Sequence, residues 1–217
     1  MVTLQLRQLD IPPGQRVLLH DVTWHEFESI LEELGEHRGT RIAYDNGILE
    51  IMAPLPEHED DKEIISDLLK DFLEELDIEF RTLGSTTFKN QAMFKGIEPD
   101  QCFYIQNESV IRGKKRLDLT IDPPPDLALE VDVTSRTHPE TYAALGVPEL
   151  WRREGDRIQI YVLQSGQYVE MTDSPTFPGW YLHTVIPTYV EQSRKIGRNK
   201  TMRAFRAWVR EKMSQKG

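Results

Sequence analysis

The sequence predicts a mixed α/β protein, because segments with helical and extended periodicity follow one another along the chain. Three observations support this fold class. An apolar run at residues 127–133 alternates like a buried strand, a capping box from Thr23 to Glu26 opens a helix, and residues 57–76 carry a wide apolar helical face. With 217 residues, 39% of them hydrophobic, the chain fits one large domain with a sizeable core.

The N-terminal half is predicted to contain two helices and a hairpin. Asp45-Asn46-Gly47 is typical of a type I′ hairpin turn, which needs positive φ angles. The longer helix carries acids in its first turns, where the helix dipole is positive. The predicted elements are a strand at 16–19, a helix from Thr23 to about Leu34, hairpin strands at 41–44 and 48–52, and a helix at 57–76.

The C-terminal half is predicted to alternate strands with short helices before a final helix. Gly96 is expected to precede a strand, and Pro178 and Pro187 to punctuate the region before the last helix, which Asn199 should cap. The predicted elements are extended segments at 79–89 and 99–105, the strand at 127–133, a helix at 139–145, strands at 149–153, 157–163 and 167–171, and a helix at about 199–213.

The cysteine and hydropathy patterns favour a cytoplasmic protein. Cys102 is the single cysteine and therefore forms no internal disulfide, which is typical of a reducing compartment. The N-terminus lacks the basic and apolar regions of a signal peptide, and no apolar run reaches membrane-span length. We expect no membrane association.

Charge is distributed unevenly along the chain. The net charge of −10 argues against non-specific affinity for nucleic acid, yet nine of the 26 basic residues and only one acid follow from Arg194 onward. This predicts residues 1–193 as the main domain and residues 194–217 as a basic helical extension of it. Arg203, Arg206 and Arg210 would share one helical stripe, either facing a polyanion or solvated as an ordinary basic helix face.

Paired acids on the predicted buried strand suggest a metal site. Glu130 and Asp132 fall on the face opposite the apolar residues, about 7 Å apart at a rise of roughly 3.3 Å per residue. Carboxylates on a half-buried strand need a compensating cation, and Mg²⁺ binds such oxygens well. The alternative is a surface-facing pair on an edge strand. Asp126 lies about 13 Å from Glu130 along the strand, too far to share one ion, and is interpreted as a strand-entry residue.

Asp100, which follows Pro99, and Glu130, which lies on a second strand, match the first two elements of the PD-(D/E)XK nuclease pattern. The surrounding sequence resembles more specifically the bacterial Uma2-type branch of that superfamily, whose members are mostly restriction-endonuclease-like proteins. The resemblance covers roughly residues 20–170. It rests on the stretches 23–27 (TWHEF), 52–58 (MAPLPEH), 96–105 (GIEPDQCFYI), 123–135 (PPPDLALEVDVTS) and 142–151 (YAALGVPELW).

The resemblance implies a restriction-endonuclease-like core, in which helices flank a central mixed sheet, with an N-terminal helix and hairpin and a C-terminal helical extension. It implies that Asp100 and Glu130 hold Mg²⁺ or Mn²⁺. Where the pattern has a lysine, two residues after Glu130, this chain has Asp132, which would serve as a third ligand. Lys89 is the preferred substitute for the lysine, with Arg136 as a competitor. His58, at the start of the long helix, is expected to be a structural hydrogen-bonding group rather than a ligand.

Three functions remain open at this point. The first is a Mg²⁺-dependent DNA endonuclease, for which a homodimer is expected because cutting both strands needs two sites or two visits. The second is an inactive nucleic-acid-binding protein on a nuclease fold, and the third is a protein-interaction module. Residues expected to contact nucleic acid are those of a basic loop, Lys114, Lys115 and Arg116, and the helical arginines Arg203, Arg206 and Arg210.

Overall fold

The computed structural model describes residues 6–35, 39–84, 86–132 and 138–216, and for Asp132 it describes the backbone alone. The helices are α1 Trp24–Leu34, α2 Pro56–Glu75, α3 Glu108–Ile111, α4 Pro139–Leu145, α5 Leu182–Ile196 and α6 Arg198–Lys216. The strands are β1 Arg16–Leu19, β2 Arg41–Asp45, β3 Ile48–Met52, β4 Arg81–Thr82, β5 Phe88–Asn90, β6 Lys95–Ile97, β7 Gln101–Tyr104, β8 Leu127–Asp132, β9 Glu149–Glu154, β10 Arg157–Gln164 and β11 Gln167–Met171.

The strands form two sheets. The first has the order β1-β3-β2-β6-β5, and the second has the order β11-β10-β9-β8-β7-β4. β8 and β9 pair in parallel, with α4 in the connection between them, and the other pairs of the second sheet are antiparallel. The predicted α/β class with a mixed sheet and flanking helices is therefore confirmed, and a second, antiparallel sheet accompanies it.

Local sequence signals set the N-terminal elements. The Thr23 hydroxyl accepts from the Glu26 N–H at 3.3 Å, and the Glu26 carboxylate accepts from the Thr23 N–H at 2.8 Å, which completes the predicted capping box. Asn46 and Gly47 have φ angles of 46° and 89°, as a type I′ turn requires. Both predictions are confirmed, because each depends on contacts within four residues of chain.

Both faces of β8 are covered. Leu127, Leu129 and Val131 pack in a core cluster beneath α2, α5 and α6. Ala128, on the opposite face, belongs to a second cluster that includes Tyr142 of α4. The predicted alternation is confirmed for residues 127–131, whereas the side chain of Asp132 and all of Val133 lie outside the described part of the chain. Glu130 shares the face of Ala128 and so points toward the side covered by α4.

The segment predicted as one strand at 99–105 is instead a junction between the two sheets. β6 belongs to the first sheet and β7 to the second, and Glu98, Pro99 and Asp100 connect them. Pro99 cannot donate to a strand ladder, so the pairing changes there. Gly96 lies inside β6 rather than before a strand, and a Cβ at this position would come within 2.9 Å of the Phe27 ring.

The C-terminal region is more helical than its prolines suggest. Pro187 lies inside α5, which buries Leu182, Ile186 and Val190 against the core and tolerates the missing N–H. Asn199 is not a cap, because α6 begins at Arg198. The segment before the basic loop, predicted as irregular, contains the short helix α3.

The basic helix α6 packs on the protein core. Met202, Phe205 and Val209 are 4%, 0% and 0% exposed and belong to the cluster beneath α2 and α5. These three residues form an apolar stripe that holds the final helix on the core. None of the helices in the described parts of the chain has the length and apolar character needed to cross a bilayer.

Candidate functional site

Asp100 lies at the junction between the two sheets, immediately before β7, and is 3% exposed. Its Oδ2 accepts a hydrogen bond from the Val131 N–H of β8 at 2.8 Å. The antiparallel register of β7 and β8 pairs Gln101 with Leu129. Asp100 precedes the first paired residue of β7. Continued by one step, the register would set Asp100 beside Glu130 on the same face of the sheet.

Two cationic side chains compensate the buried carboxylate of Asp100. His58, in the first turn of α2, places its Nε2 2.9 Å from Oδ2. Arg41, the first residue of β2, places its Nε 3.6 Å from Oδ1. Glu59 lies behind both, with an oxygen 3.6 Å from His58 Nδ1 and 3.2 Å from Arg41 Nη2, and Lys62 also pairs with it. The start of α2, the start of β2 and the sheet junction are thus joined by one ion-pair network.

The network shifts the protonation of its members. Burial lowers the pKa of His58, but hydrogen bonds to Asp100 and Glu59 and their negative charges outweigh this and raise the pKa to about 9. The hydrogen bond from His58 and the charges of Arg41 and Lys62 lower the pKa of Glu59 to about 2, against the effect of its burial. At neutral pH His58 is therefore a cation. It is the structural hydrogen-bonding group predicted, and its partner is Asp100.

Glu130 has a different kind of partner. The Tyr142 hydroxyl of α4 donates to Glu130 Oε1. Tyr142 is 1% exposed, and its pKa is raised well above the ordinary value by burial first, then by the charge of Glu130, and also by that of Asp100. Tyr142 therefore stays protonated and acts as a hydrogen-bond donor. The charges of both carboxylates act on its hydroxyl group.

A second buried acid holds the start of α4. Glu50 of β3 is 7% exposed, and its Oε2 lies 3.0 Å from Arg16 Nη1 and 3.6 Å from His138 Nε2. The hydrogen bond to Glu50 raises the pKa of His138, against the effect of burial. Because His138 immediately precedes α4, this pair ties the first sheet to the helix that carries Tyr142.

The donor set fits a hard divalent cation held by two carboxylates. Mg²⁺ usually takes one or two protein carboxylates and completes its shell with water and substrate phosphate. Asp100 and Glu130 supply such a pair on neighbouring strands. Among residues whose side chains the structure describes, no cluster of three or more His, Cys, Asp or Glu could hold a metal ion. The side chain of Asp132, the predicted third ligand, lies outside the described part of the chain.

The predicted substitute for the lysine lies on the other sheet. β5 pairs with β6, where Lys89 is opposite Gly96, rather than with the strand that follows Asp100. Lys89 Nζ lies 2.8 Å from Glu28 Oε1 of α1. Arg136, the competitor, lies outside the described residues. Within those residues the cationic groups in contact with Asp100 are His58 and Arg41.

Asp126 has the strand-entry role predicted for it. Its Oδ2 accepts from the backbone N–H groups of Ile105 and Asn107 at 2.6 and 3.0 Å, and its Oδ1 accepts from the Asn107 side chain at 2.8 Å. These bonds fix the turn after β7 against the start of β8. They therefore help to set the register whose continuation would bring Asp100 beside Glu130.

The basic residues proposed to contact nucleic acid occupy two surfaces. In the loop after α3, Lys114 pairs with Asp122, and Lys115 and Arg116 are exposed. On α6, Arg206 Nη2 lies 2.6 Å from Asp71, Arg210 Nε lies 2.6 Å from Glu75, and Arg203 is exposed. Arg206 and Arg210 would exchange these acids for phosphates on binding, so the contact with nucleic acid stays a prediction.

Sequence reasoning did not identify Arg41, Glu59 or Tyr142 as parts of the site. Arg41 contacts Asp100 from an element 59 residues earlier in the chain, and Glu59 joins the network through Arg41 and His58, so no local pattern reveals either residue. One signal was present for Tyr142. It lies on the helix directly after the Glu130 strand, in a stretch that supports the family resemblance.

The mixed sheet and its flanking helices are those of a restriction-endonuclease-like protein. Residues 24–190 match the model of the Uma2 family, described as "Putative restriction endonuclease". The match covers more than three quarters of the chain, so the protein belongs to this family. Membership indicates a nuclease function with DNA as the substrate class, and nucleases of this kind generally use divalent metals. A search of curated proteins finds no match to the chain.

Proposed function

We propose that this protein is a metal-dependent DNA endonuclease that hydrolyses phosphodiester bonds, with Asp100 and Glu130 as ligands of Mg²⁺ or Mn²⁺. The proposal is supported by the β7–β8 register, whose continuation by one step beyond Gln101 and Leu129 would set the two acids side by side. Tyr142 supports it independently, because both acids raise its pKa.

The chain's own residues orient the two acids. His58 and the Val131 N–H hold Oδ2 of Asp100, which leaves Oδ1, near Arg41, as the second oxygen of that carboxylate. Tyr142 holds Oε1 of Glu130. Ligand carboxylates held by hydrogen bonds keep a defined orientation, and loss of such outer partners typically costs about 10–100-fold in metal affinity or activity. A bound divalent ion would lower the pKa of a water molecule and stabilise negative charge on the phosphate.

Asp132 and Lys89 keep supporting roles in the proposal. Asp132 would add a third carboxylate two residues after Glu130, and Lys89 would need to leave Glu28 to approach a phosphate. A homodimer would cut both strands of a duplex in one encounter.

The test is cleavage of supercoiled plasmid with Mg²⁺ or Mn²⁺, against Ca²⁺ and chelator controls. Asp100→Asn and Glu130→Gln keep the shape of each side chain and should lower the cleavage rate by about 100-fold or more, because the metal contributes several kcal/mol. Glu33→Gln, on an exposed acid of α1 outside the site, is the matched control. Calorimetric titration with Mn²⁺ should show weaker binding in both site variants.

Removal of the Glu130 carboxylate should leave the fold intact, because it relieves repulsion between like charges in the metal-free protein. Removal of the Asp100 carboxylate relieves the same repulsion but leaves His58 and Arg41 without their buried partner, so some loss of stability is expected for that variant. Thermal unfolding checks this. A variant that unfolds while its remaining soluble fraction binds metal like the wild type would assign the acid a structural role instead.

A second candidate function is nucleic-acid binding without cleavage. It is favoured by Asp132 at the position of the pattern's lysine, and by the pairing of Lys89 with Glu28. DNA binding in Mn²⁺ with no nicking over hours would support it. If the wild type neither binds metal nor DNA, the remaining alternative is a protein-interaction module.

A further inference from the structure

We propose that Arg152 is the catalytic cation that faces the scissile phosphate at this site. The proposal rests on the proposed nuclease function and deepens it, since it names a phosphate-contacting residue of the same site.

The parallel register of β8 and β9 carries the inference. It pairs Glu130 with Arg152, two steps after it pairs Ala128 with Leu150. Ala128 and Leu150 are both buried in the cluster beneath α4. Because side chains two residues apart share a face, Glu130 and Arg152 project from that same face. Arg152 is therefore a direct neighbour of a proposed metal ligand.

The position along the strands also suits a ligand. β8 and β9 are the parallel pair, and both Glu130 and Arg152 lie two residues before the end of their strand. In open α/β sheets, ligands bind outside the carboxyl ends of parallel strands. A phosphate at this edge of the sheet would meet the carboxylate and the guanidinium together.

The surroundings of Arg152 position its guanidinium. Arg152 is half-buried, and its Cζ lies 5.8 Å from the centre of the Tyr161 ring on β10. Stacking on an aromatic ring fixes the plane of a guanidinium and adds no formal negative charge. A planar guanidinium can donate two N–H groups to two phosphate oxygens, which makes it suited to a phosphoryl centre.

Other cations near the site lie at different places in the fold. Lys89 belongs to the other sheet, and Arg41 lies on β2, where it contacts Asp100 and Glu59. Arg153, the next residue in sequence, projects from the opposite face of β9, is 2% exposed and pairs with Asp61 at 3.1 Å. Because successive side chains of a strand point to opposite faces, Arg153 lies on the core side of β9, whereas Arg152 lies on the same face as Glu130.

The first experiment compares single-turnover cleavage by the wild type, Arg152→Gln, Arg152→Lys and Arg157→Gln. Arg157 is an exposed arginine at the start of β10 and serves as the control. We expect Arg152→Gln to lower the rate of the chemical step by about 10²–10³-fold, as removal of one preorganised charge-stabilising group does. Arg152→Lys should recover part of the lost rate. The Mn²⁺ affinity of all three variants should stay within about twofold of the wild-type value.

The second experiment does not need cleavage. DNA binding is measured in Ca²⁺ as a function of salt, and loss of one phosphate contact should reduce the slope by about 0.9 in Arg152→Gln, with no change in Arg157→Gln. If the wild type cleaves DNA and Arg152→Gln has the same cleavage rate and the same salt slope, the inference about Arg152 is wrong and the nuclease function is unaffected. A wild type that never cleaves would overturn the nuclease function, and the slope would still decide whether Arg152 contacts a phosphate.

A third readout uses the unaltered protein, in case neutral variants at Arg152 unfold. DNA bound in Ca²⁺ should protect Arg152 from modification by phenylglyoxal, whereas Arg157 should remain reactive. Mass spectrometry of the digested protein measures both sites in one sample. Equal modification of Arg152 with and without DNA would overturn the inference, as would protection of Lys89 alone in a parallel amine-labelling experiment.

Discussion

The two halves of α2 carry similar charges in different surroundings. In the N-terminal half, His58 pairs with Asp100 and Asp61 pairs with Arg153, and all four residues are buried. In the C-terminal half, three acids face the basic helix, and their arginine partners have side chains that are 43–68% exposed. These surface pairs are Asp67–Arg198, Asp71–Arg206 and Glu75–Arg210.

The solvent exposure of its ion pairs determines how much each half of α2 contributes to stability. A buried charge without its partner costs several kcal/mol, so the N-terminal pairs fix where the sheet junction and β9 lie against the helix. An exposed pair is solvated in either state and contributes about 0–1 kcal/mol. The C-terminal acids of α2 therefore balance the charge of α6 without deciding its position, which Met202, Phe205 and Val209 set by packing.

The largest expected effect comes from Asp61→Ala. It removes the buried carboxylate partner of Arg153, which is 2% exposed, and leaves only the exposed Asp156, 3.7 Å away, so it should destabilise the protein by about 3–5 kcal/mol. Urea denaturation measures this. Asp67→Ala, which removes the partner of an exposed arginine, is the control and should change the free energy of unfolding far less. Similar values for the two variants would contradict the comparison.

The double variant Asp61→Leu with Arg153→Met sharpens this prediction. Replacing both partners removes the buried charges together, and such replacements are often neutral or stabilising. We expect the double variant to be more stable than Asp61→Ala alone. A double variant as unstable as the single one would show that packing, not the buried charge, causes the loss.

His58 should make stability depend on pH. Folding raises its pKa from 6.5 to about 9, so its contribution is complete below pH 6.5 and is lost as the pH rises through 9. The difference in the free energy of unfolding between the wild type and His58→Gln should fall by about 1–3 kcal/mol over this window, given about 1.4 kcal/mol per pKa unit. The measurement is made with chelator present, and a difference independent of pH would contradict it.

Arg210→Ala should have a small effect on stability. Its side chain is 68% exposed, and its pair with Glu75 should contribute about 0.2–1 kcal/mol at low salt and less at high salt. A double-mutant cycle with Glu75→Ala gives the interaction free energy. A value above 2 kcal/mol would place this pair with the buried ones and remove the distinction between the halves of α2.

DNA binding provides a separate test of the arginines on α6. If Arg203, Arg206 and Arg210 contact successive phosphates, replacing all three by alanine should reduce the salt dependence of binding by a slope of about 2–3. The loss should be similar for all DNA sequences, because phosphate contacts position without reading bases. Equal slopes would mean that the α2 acids retain these arginines, and that the Lys114–Arg116 loop holds any bound DNA.

Short-range signals in the sequence predicted most of the elements correctly. The capping box at Thr23, the Asn46-Gly47 turn and the alternation of residues 127–131 each depend on near neighbours, so the chain carries them wherever it folds. The two acids of the proposed site were also identifiable. Asp100 and Glu130 lie 30 residues apart, each in a recognisable stretch.

Tertiary structure alone decided which cations join those acids. Arg41 and His58 reach Asp100 because two sheets meet at Pro99, and Arg152 stands beside Glu130 because two strands pair in parallel. Lys89, the cation that sequence spacing favoured, belongs to the other sheet. The physical reason is that a strand's own sequence specifies which faces its side chains occupy, whereas its neighbour and register follow from the packing of the whole core.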